Sequence, residues 1–355
     1  MKRRNNDSII SNNNDTNIIF RILMYSTKEY DKLSFDTKLK DLKQPEKYEI
    51  NYTHQHLSKD SVKQAKGYEC ICIFVNDDGS REVLEKLKQI GVKLIVLRCA
   101  GFNNVDLKAA EEFHIEIGYV PSYSPNAVAE HAVALVMALN RRLHRAYDRI
   151  RNGDFRLDGL VGFDMNGKTV GVLGTGRIGQ FTIRIFRGFG CRVIAYDLYK
   201  MKDEDRHALG FEYAELDDIY TQADIISIHL PLDHKTKHLI NAQSIEKMKK
   251  GVILVNTARG GLIDTKALIN ALKSGHVAGA GLDVYENEHK YFFNDFSSTI
   301  IDDDILIQLI SYPNVILTAH QAFLTQEALC SIAKVTFENI YTFFTTGKPL
   351  NTPKL

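Results

Sequence analysis

The chain is 355 residues long, more than one hydrophobic core sustains, so two domains are expected. Hydrophobic side chains make up 44% and charged ones 25%, and 45 basic against 44 acidic residues leave a net charge of +1. That balance argues against the concentrated basic surface a nucleic-acid partner requires, and the longest apolar runs, at 225–230 and 252–255, are strand-sized and far short of a bilayer span.

Six asparagines and few apolar side chains among the first 17 residues predict a disordered tail. Lys2, Arg3 and Arg4 raise the question of a transit peptide, but Asp7, Asp15 and the lack of an arginine-rich amphipathic pattern argue against one. The five cysteines are odd in number, scattered and without metal or redox spacing, so a reducing, cytoplasmic setting is expected. From residue 18 onward, β-branched runs at 19–25, 70–75, 94–99 and 115–120 alternate with helices starting near Arg81 and Val105, the rhythm of a parallel sheet covered by helices. Pro121 and Pro125 then interrupt the pattern. A long amphipathic helix is predicted over 126–151, ended by Asn152-Gly153, and its apolar face (Val128, Ala132, Leu135, Val136, Leu139) suits packing on another helix, such as that of a second subunit in a homo-oligomer. Six further strands follow at 169–173, 192–196, 225–230, 252–256, 279–284 and 314–318, the number a doubly wound dinucleotide domain requires, and a helix over 325–344 closes the chain.

The strand at 169–173 feeds into Gly174-Thr175-Gly176-Arg177-Ile178-Gly179 and then a helix. In that context the first glycine permits the turn, the second lets backbone amides approach a pyrophosphate, and the third lets helix and strand pack closely. A glycine-rich turn alone often serves only packing, but Asp197 stands 18 residues after Gly179 at the end of the next strand, where a ribose-binding acid belongs. A carboxylate there accepts from both ribose hydroxyls and repels a 2′-phosphate, which predicts NAD over NADP, with Lys200 and Lys202 weighing slightly against.

Three polar residues follow strand ends in this second series: Arg259, Glu288 and His320. Each taken singly has an ordinary structural explanation, as an ion-paired arginine, a packing histidine or one acid of an acidic stretch. Together they supply what reduction of a 2-keto acid needs. A planar guanidinium binds a carboxylate bidentately, an imidazole gives and takes a proton near working pH, and a carboxylate beside that imidazole fixes the ring and favours its charged form. His131 and His229 are alternative acids. No histidine spacing suited to zinc appears, so no metal is expected.

These residues resemble the D-isomer-specific 2-hydroxy acid dehydrogenases, and within that family its fermentative D-lactate dehydrogenase branch. The similarity runs from about Ile22 to Lys348 through Cys72-Ile-Phe-Val-Asn-Asp-Asp-Gly-Ser80, Leu97-Arg-Cys-Ala-Gly-Phe-Asn-Asn-Val105, Val120-Pro-Ser-Tyr-Ser-Pro-Asn126, Asn256-Thr-Ala-Arg-Gly260, Gly281-Leu-Asp-Val-Tyr-Glu-Asn-Glu288 and His320-Gln-Ala-Phe-Leu-Thr325. The resemblance implies that Arg259 binds substrate, Glu288 supports the acid and His320 donates the proton. It implies cofactor contacts at Arg177, Ile178, Asp197, Leu230, Pro231, Thr236, Thr257, Ala258 and Asp283, and substrate contacts at Ala100, Gly101, Tyr123 and Phe323 between the domains. The fold it implies is α/β with two doubly wound parallel sheets: a Rossmann NAD domain (123–321) inserted into a discontinuous flavodoxin-like substrate domain (18–122 and 322–355). Pyruvate is the expected substrate, with D-lactate as product. A reductase of glyoxylate or hydroxypyruvate and an NAD-sensing binding scaffold are the competing readings.

Overall fold

Runs such as Cys70–Ile73 and Leu94–Leu97 are buried at every position, which suits strands of a parallel sheet covered on both faces. The computed structural model describes residues 19–354; the tail expected over 1–17 lies outside them. Two units are present, one formed by the chain up to Tyr123 and again from Leu329, the other by Ser124–Ala328. The sequence places these crossings at 122/123 and 321/322.

The first unit contains β1 (Phe20–Met24), α1 (Glu29–Lys40), β2 (Tyr48–Tyr52), β3 (Cys70–Ile73), α2 (Arg81–Gln89), β4 (Leu94–Leu97), α3 (Leu107–Glu112) and β5 (Glu116–Gly118). All strands pair parallel in the order β2-β1-β3-β4-β5, the flavodoxin-like winding. The strand β2 and helix α1 are absent from the sequence expectation. Directly after β4, Arg98 is 1% exposed; its Nε donates to Asp31 Oδ1 at 3.1 Å, its Nη2 donates to the Ser26 carbonyl at 2.9 Å, and its guanidinium stacks 4.7 Å from the Phe74 ring. That anchor fixes the chain just ahead of Ala100 and Gly101.

The second unit contains α4 (Pro125–Asn140), α5 (Leu143–Arg151), β6 (Thr169–Leu173), α6 (Arg177–Gly188), β7 (Arg192–Tyr196), α7 (Asp203–Leu209), β8 (Glu212–Tyr213), α8 (Leu216–Gln222), β9 (Ile225–Ile228), α9 (Ala242–Lys247), β10 (Val252–Asn256), α10 (Thr265–Ser274), β11 (Val277–Leu282), α11 (Asp304–Ser311) and β12 (Val315–Leu317). Seven parallel strands run in the order β12-β11-β10-β9-β6-β7-β8, so the expected six gain the two-residue edge strand β8. Strand periodicity divides the core between the two faces. Val252 and Leu254 join Ile226, Leu268 and Leu309 on one side, while Ile253 and Val255 join Val170, Val136 and Phe186 on the other.

The helix expected over 126–151 is two helices. Arg142 between them takes a left-handed conformation (φ 52°), and the buried Asn140 is clamped by a reciprocal pair of bonds with Phe163, Nδ2 to its carbonyl and Oδ1 from its N–H, both 2.8 Å. A contact 23 residues away ends α4, with no Gly or Pro at the break to signal it. The apolar face of α4 is also covered within its own chain. Ala132, Leu135, Val136 and Leu139 pack with Ile183 and Phe186 of α6, and Gly281 on β11 leaves room for Leu135.

The last helix, α12 (Gln326–Thr346), contributes most of its length to the first unit, where Phe337 packs on Phe35 and Tyr48 and Phe344 stacks on Phe20.

Candidate active site

In the second unit the chain passes from β6 to β7 on one side, yet β6 is also hydrogen-bonded to β9 on the other, so the winding reverses between β6 and β9. Ligands of such sheets bind outside the carboxyl ends of the strands at that reversal. The glycine turn stands there. Gly174 (φ 101°) lies so close to the residue after β9 that a Cβ would come 2.7 Å from the His229 carbonyl oxygen, and a Cβ on Gly179 would overlap the Gly174 carbonyl. At Gly176, the N-cap of α6, a Cβ would meet nothing within 4 Å, so open space faces the helix N-terminus; Arg177 is exposed there and Ile178 half-buried.

Asp197 follows β7. Its Oδ2 accepts from the Thr175 N–H at 2.6 Å and the Thr175 hydroxyl at 3.1 Å, and its Oδ1 accepts from the Tyr199 N–H at 2.9 Å, which fixes a carboxylate beside the turn. After β9, Leu230 is buried, and Pro231 and Thr236 close one turn through the Thr236 hydroxyl, which donates to the Pro231 carbonyl at 2.7 Å. After β10, the buried Thr257 hydroxyl has no hydrogen-bond partner among the described residues. An orphaned hydroxyl beyond β10, the strand next to β9, an open helix N-terminus at the reversal and a fixed carboxylate at the end of β7 fit a dinucleotide.

Arg259 lies three residues beyond β10. Asn256 braces it, its Oδ1 accepting from Ala258 N–H at 3.0 Å and its Nδ2 donating to the Arg259 carbonyl at 2.9 Å; the guanidinium Nη1 donates to the Ala258 carbonyl at 2.7 Å. Glu288 lies beyond β11, where its Oε2 accepts from the Tyr285 N–H at 3.0 Å. His320 lies beyond β12, and its Nδ1 is 2.7 Å from Glu288 Oε1. The strands β10, β11 and β12 are neighbours in register, Asn256 opposite Leu282 and Leu282 opposite Leu317, so all three residues follow the same sheet edge.

His320 adopts φ 54°, a strained region for a non-glycine residue. The strain is held by Asp283. Its carbonyl accepts from the His320 N–H at 2.8 Å, and its wholly buried carboxylate accepts from the Thr318 hydroxyl (2.6 Å), the Gln321 N–H (2.8 Å) and the Ala322 N–H (2.9 Å). Asp283, expected against the cofactor, thus has its carboxylate turned to the segment that carries His320.

The alternative acids are occupied elsewhere. His131 Nε2 is 3.1 Å from the Thr318 hydroxyl, and His229 Nε2 is 2.8 Å from the Ser227 hydroxyl, with burial pushing its imidazole down to about 4. Sequence reasoning missed Asn256, Thr318 and the bracing role of Asp283. Asn256 and Thr318 do end or follow strands beside named candidates, which is a signal, but a polar residue there does not reveal which backbone it holds.

Of the expected substrate contacts, Phe323 is buried in the second unit, while Ala100, Gly101 and Tyr123 belong to the first, Ala100 and Gly101 in the turn after β4 where the Gly101 carbonyl accepts from Cys99 Sγ at 3.2 Å.

The family described as D-isomer specific 2-hydroxyacid dehydrogenase, NAD binding domain, matches residues 133–322. The chain belongs to this dehydrogenase family. A 2-hydroxyacid dehydrogenase homolog of Haemophilus influenzae is 50% identical over 90% of this chain and 95% of its own length. The D-lactate dehydrogenase of Escherichia coli is 49% identical over 90% of this chain and 95% of its own. A solved structure of the pyruvate reductase of Chlamydomonas reinhardtii superposes with a TM-score of 0.87 at 44% identity, covering 94% of this chain and 98% of that one. This 2-hydroxyacid dehydrogenase is therefore an NAD-dependent oxidoreductase with a small-molecule substrate. Among the described residues, no helix is long and apolar enough to cross a membrane.

Proposed function

We propose that this enzyme reduces pyruvate to D-lactate reversibly, and that the Glu288–His320 pair at 2.7 Å is the observation on which the reading stands. When bound, NADH supplies the hydride. His320 holds the proton for the carbonyl oxygen on Nε2, which takes no hydrogen bond among the described residues, and Glu288 on Nδ1 fixes both tautomer and ring. Arg259 binds the substrate carboxylate through its fork and polarises the carbonyl, with Asn256 holding its backbone. Gly174, Gly176, Gly179, Arg177, Ile178, Asp197, Leu230, Pro231, Thr236, Thr257 and Ala258 hold the cofactor in this reading, Asp283 acts by holding the segment of His320, and Ala100, Gly101, Tyr123 and Phe323 contact the substrate. The E. coli and Chlamydomonas relatives support pyruvate over bulkier keto acids.

NADH oxidation across pyruvate, glyoxylate, hydroxypyruvate and branched 2-keto acids, with chiral analysis of the product, tests this. Pyruvate leads and D-lactate forms; a hydroxypyruvate rate far above that of pyruvate, or an L product, refutes it.

Two finer parts belong to the same proposal. All five cysteines are free thiols, which supports a cytoplasmic setting. The chain forms a homo-oligomer through the 126–151 segment, and because α4 is covered, the contact falls on α5, whose Leu143, Tyr147 and Ile150 are each more than half exposed.

A further inference from the structure

Two residues before Glu288, a second acid meets a second histidine. His238 Nε2 lies 2.7 Å from Glu286 Oε1, and Glu286 Oε2 accepts from the Thr265 N–H at 3.0 Å and the Thr265 hydroxyl at 2.5 Å, so both oxygens are engaged. An exposed polar contact contributes little to stability, but this hydrogen bond is partly buried and sits where three loops converge. His238 is in the loop after β9 that also holds Thr236. Its backbone is left-handed (φ 51°), and its N–H donates to the Gly261 carbonyl at 2.8 Å, while Ile240 N–H donates to the Leu262 carbonyl at 3.0 Å.

Gly260–Leu262 is the 3₁₀ turn that begins directly after Arg259. Gly260 packs so closely that a Cβ would overlap the Tyr285 carbonyl and come 2.5 Å from the Glu286 N–H. Glu286 thus joins the segment carrying Glu288 to the loop carrying Thr236, with the turn of Arg259 held between them.

We propose that His238 and Glu286 are positioning residues for Arg259, clasping its turn so that the guanidinium keeps a fixed place relative to Glu288 when the 2-keto acid binds. Neither side chain touches the reacting atoms in this account. The inference rests on Arg259 as the substrate's carboxylate clamp.

The test compares His238→Asn, His238→Gln, Glu286→Gln and Arg259→Gln in the full chain, reading kcat, KM for pyruvate and NADH affinity. Asparagine tolerates the left-handed backbone but is too short to reach Glu286, whereas glutamine carries an amide nitrogen at the reach of Nε2. His238→Asn lowers kcat/KM on the order of 10- to 100-fold, chiefly through KM, the scale of a misplaced binding group, with NADH affinity retained. His238→Gln recovers most of that loss, and Glu286→Gln, which keeps an acceptor for Thr265, gives a partial defect of the same kind. An unchanged KM in His238→Asn, no recovery in His238→Gln, or an equal loss of NADH affinity overturns the clasp. An unchanged KM in Arg259→Gln instead refutes the role of Arg259 itself, so the two failures are distinguishable.

Discussion

Glu288 and His320 meet through Oε1 and Nδ1 at 2.7 Å, although 32 residues separate them in the chain. The contact joins the loop beyond β11 to the loop beyond β12. It leaves the other ring nitrogen for a substrate oxygen, and it selects the tautomer, because a carboxylate accepts and Nδ1 must therefore carry the proton.

Glu288→Gln keeps a polar partner on Nδ1 but replaces a carboxylate, which only accepts, with an amide that can present either its oxygen or its nitrogen, so the ring is held less firmly. Its kcat for pyruvate falls on the order of 10- to 100-fold with NADH affinity retained in a fluorescence titration. A wild-type kcat would show that the Glu288 contact does not orient His320.

Arg259→Lys retains a cation and loses the fork. Its kcat/KM for pyruvate drops on the order of 100-fold, about 2.7 kcal/mol, with both KM and kcat affected because the carboxylate contact persists through the transition state. NADH affinity, measured by fluorescence titration, stays near the wild-type value; a selective loss of NADH binding contradicts the assignment.

The fixed carboxylate of Asp197 predicts a strong preference for NADH over NADPH. In Asp197→Ala that preference narrows by roughly 10- to 100-fold, as expected for losing charge-assisted bonds worth about 1.5–3 kcal/mol. Comparable wild-type efficiencies with the two cofactors would remove the basis for this role.

Burial holds the His229 imidazole down at about 4 against an ordinary value of 6.5. Between those pH values the unfolded chain binds a proton that the folded chain does not, so stability decreases as pH falls through the window, by about 3 kcal/mol at most. Urea unfolding of the wild type and His229→Gln at pH 7 and pH 4.5 isolates this contribution from that of the carboxylates, which both proteins share. The variant loses less stability than the wild type over the same interval; identical losses would show that the imidazole is as readily protonated in the fold as outside it.

Much of the fold was legible because buried parallel strands advertise themselves: runs such as 70–73 and 252–256 are apolar at nearly every position. The edge strand β2, Tyr-Glu-Ile-Asn-Tyr, is half-exposed along its length and carries no such run, and α1 buries only Asp31 and Phe35, so neither has a periodic apolar face to detect. The break after α4 was hidden for another reason: Asn140 and Phe163 fix it through a tertiary contact. At the site, residue type and position after a strand pointed to Arg259, Glu288 and His320. The supports did not stand out, because the work of Asp283 on Thr318, Gln321 and Ala322 depends on the direction of a buried carboxylate, which spacing does not encode.

The most direct measurement is single-turnover and steady-state NADH oxidation by His320→Gln with saturating pyruvate, alongside NADH titration. The account predicts a rate lower by roughly two to four powers of ten, the scale of lost general acid catalysis, with NADH bound as in the wild type. A near-normal rate would contradict it and pass the proton donor's role to another group.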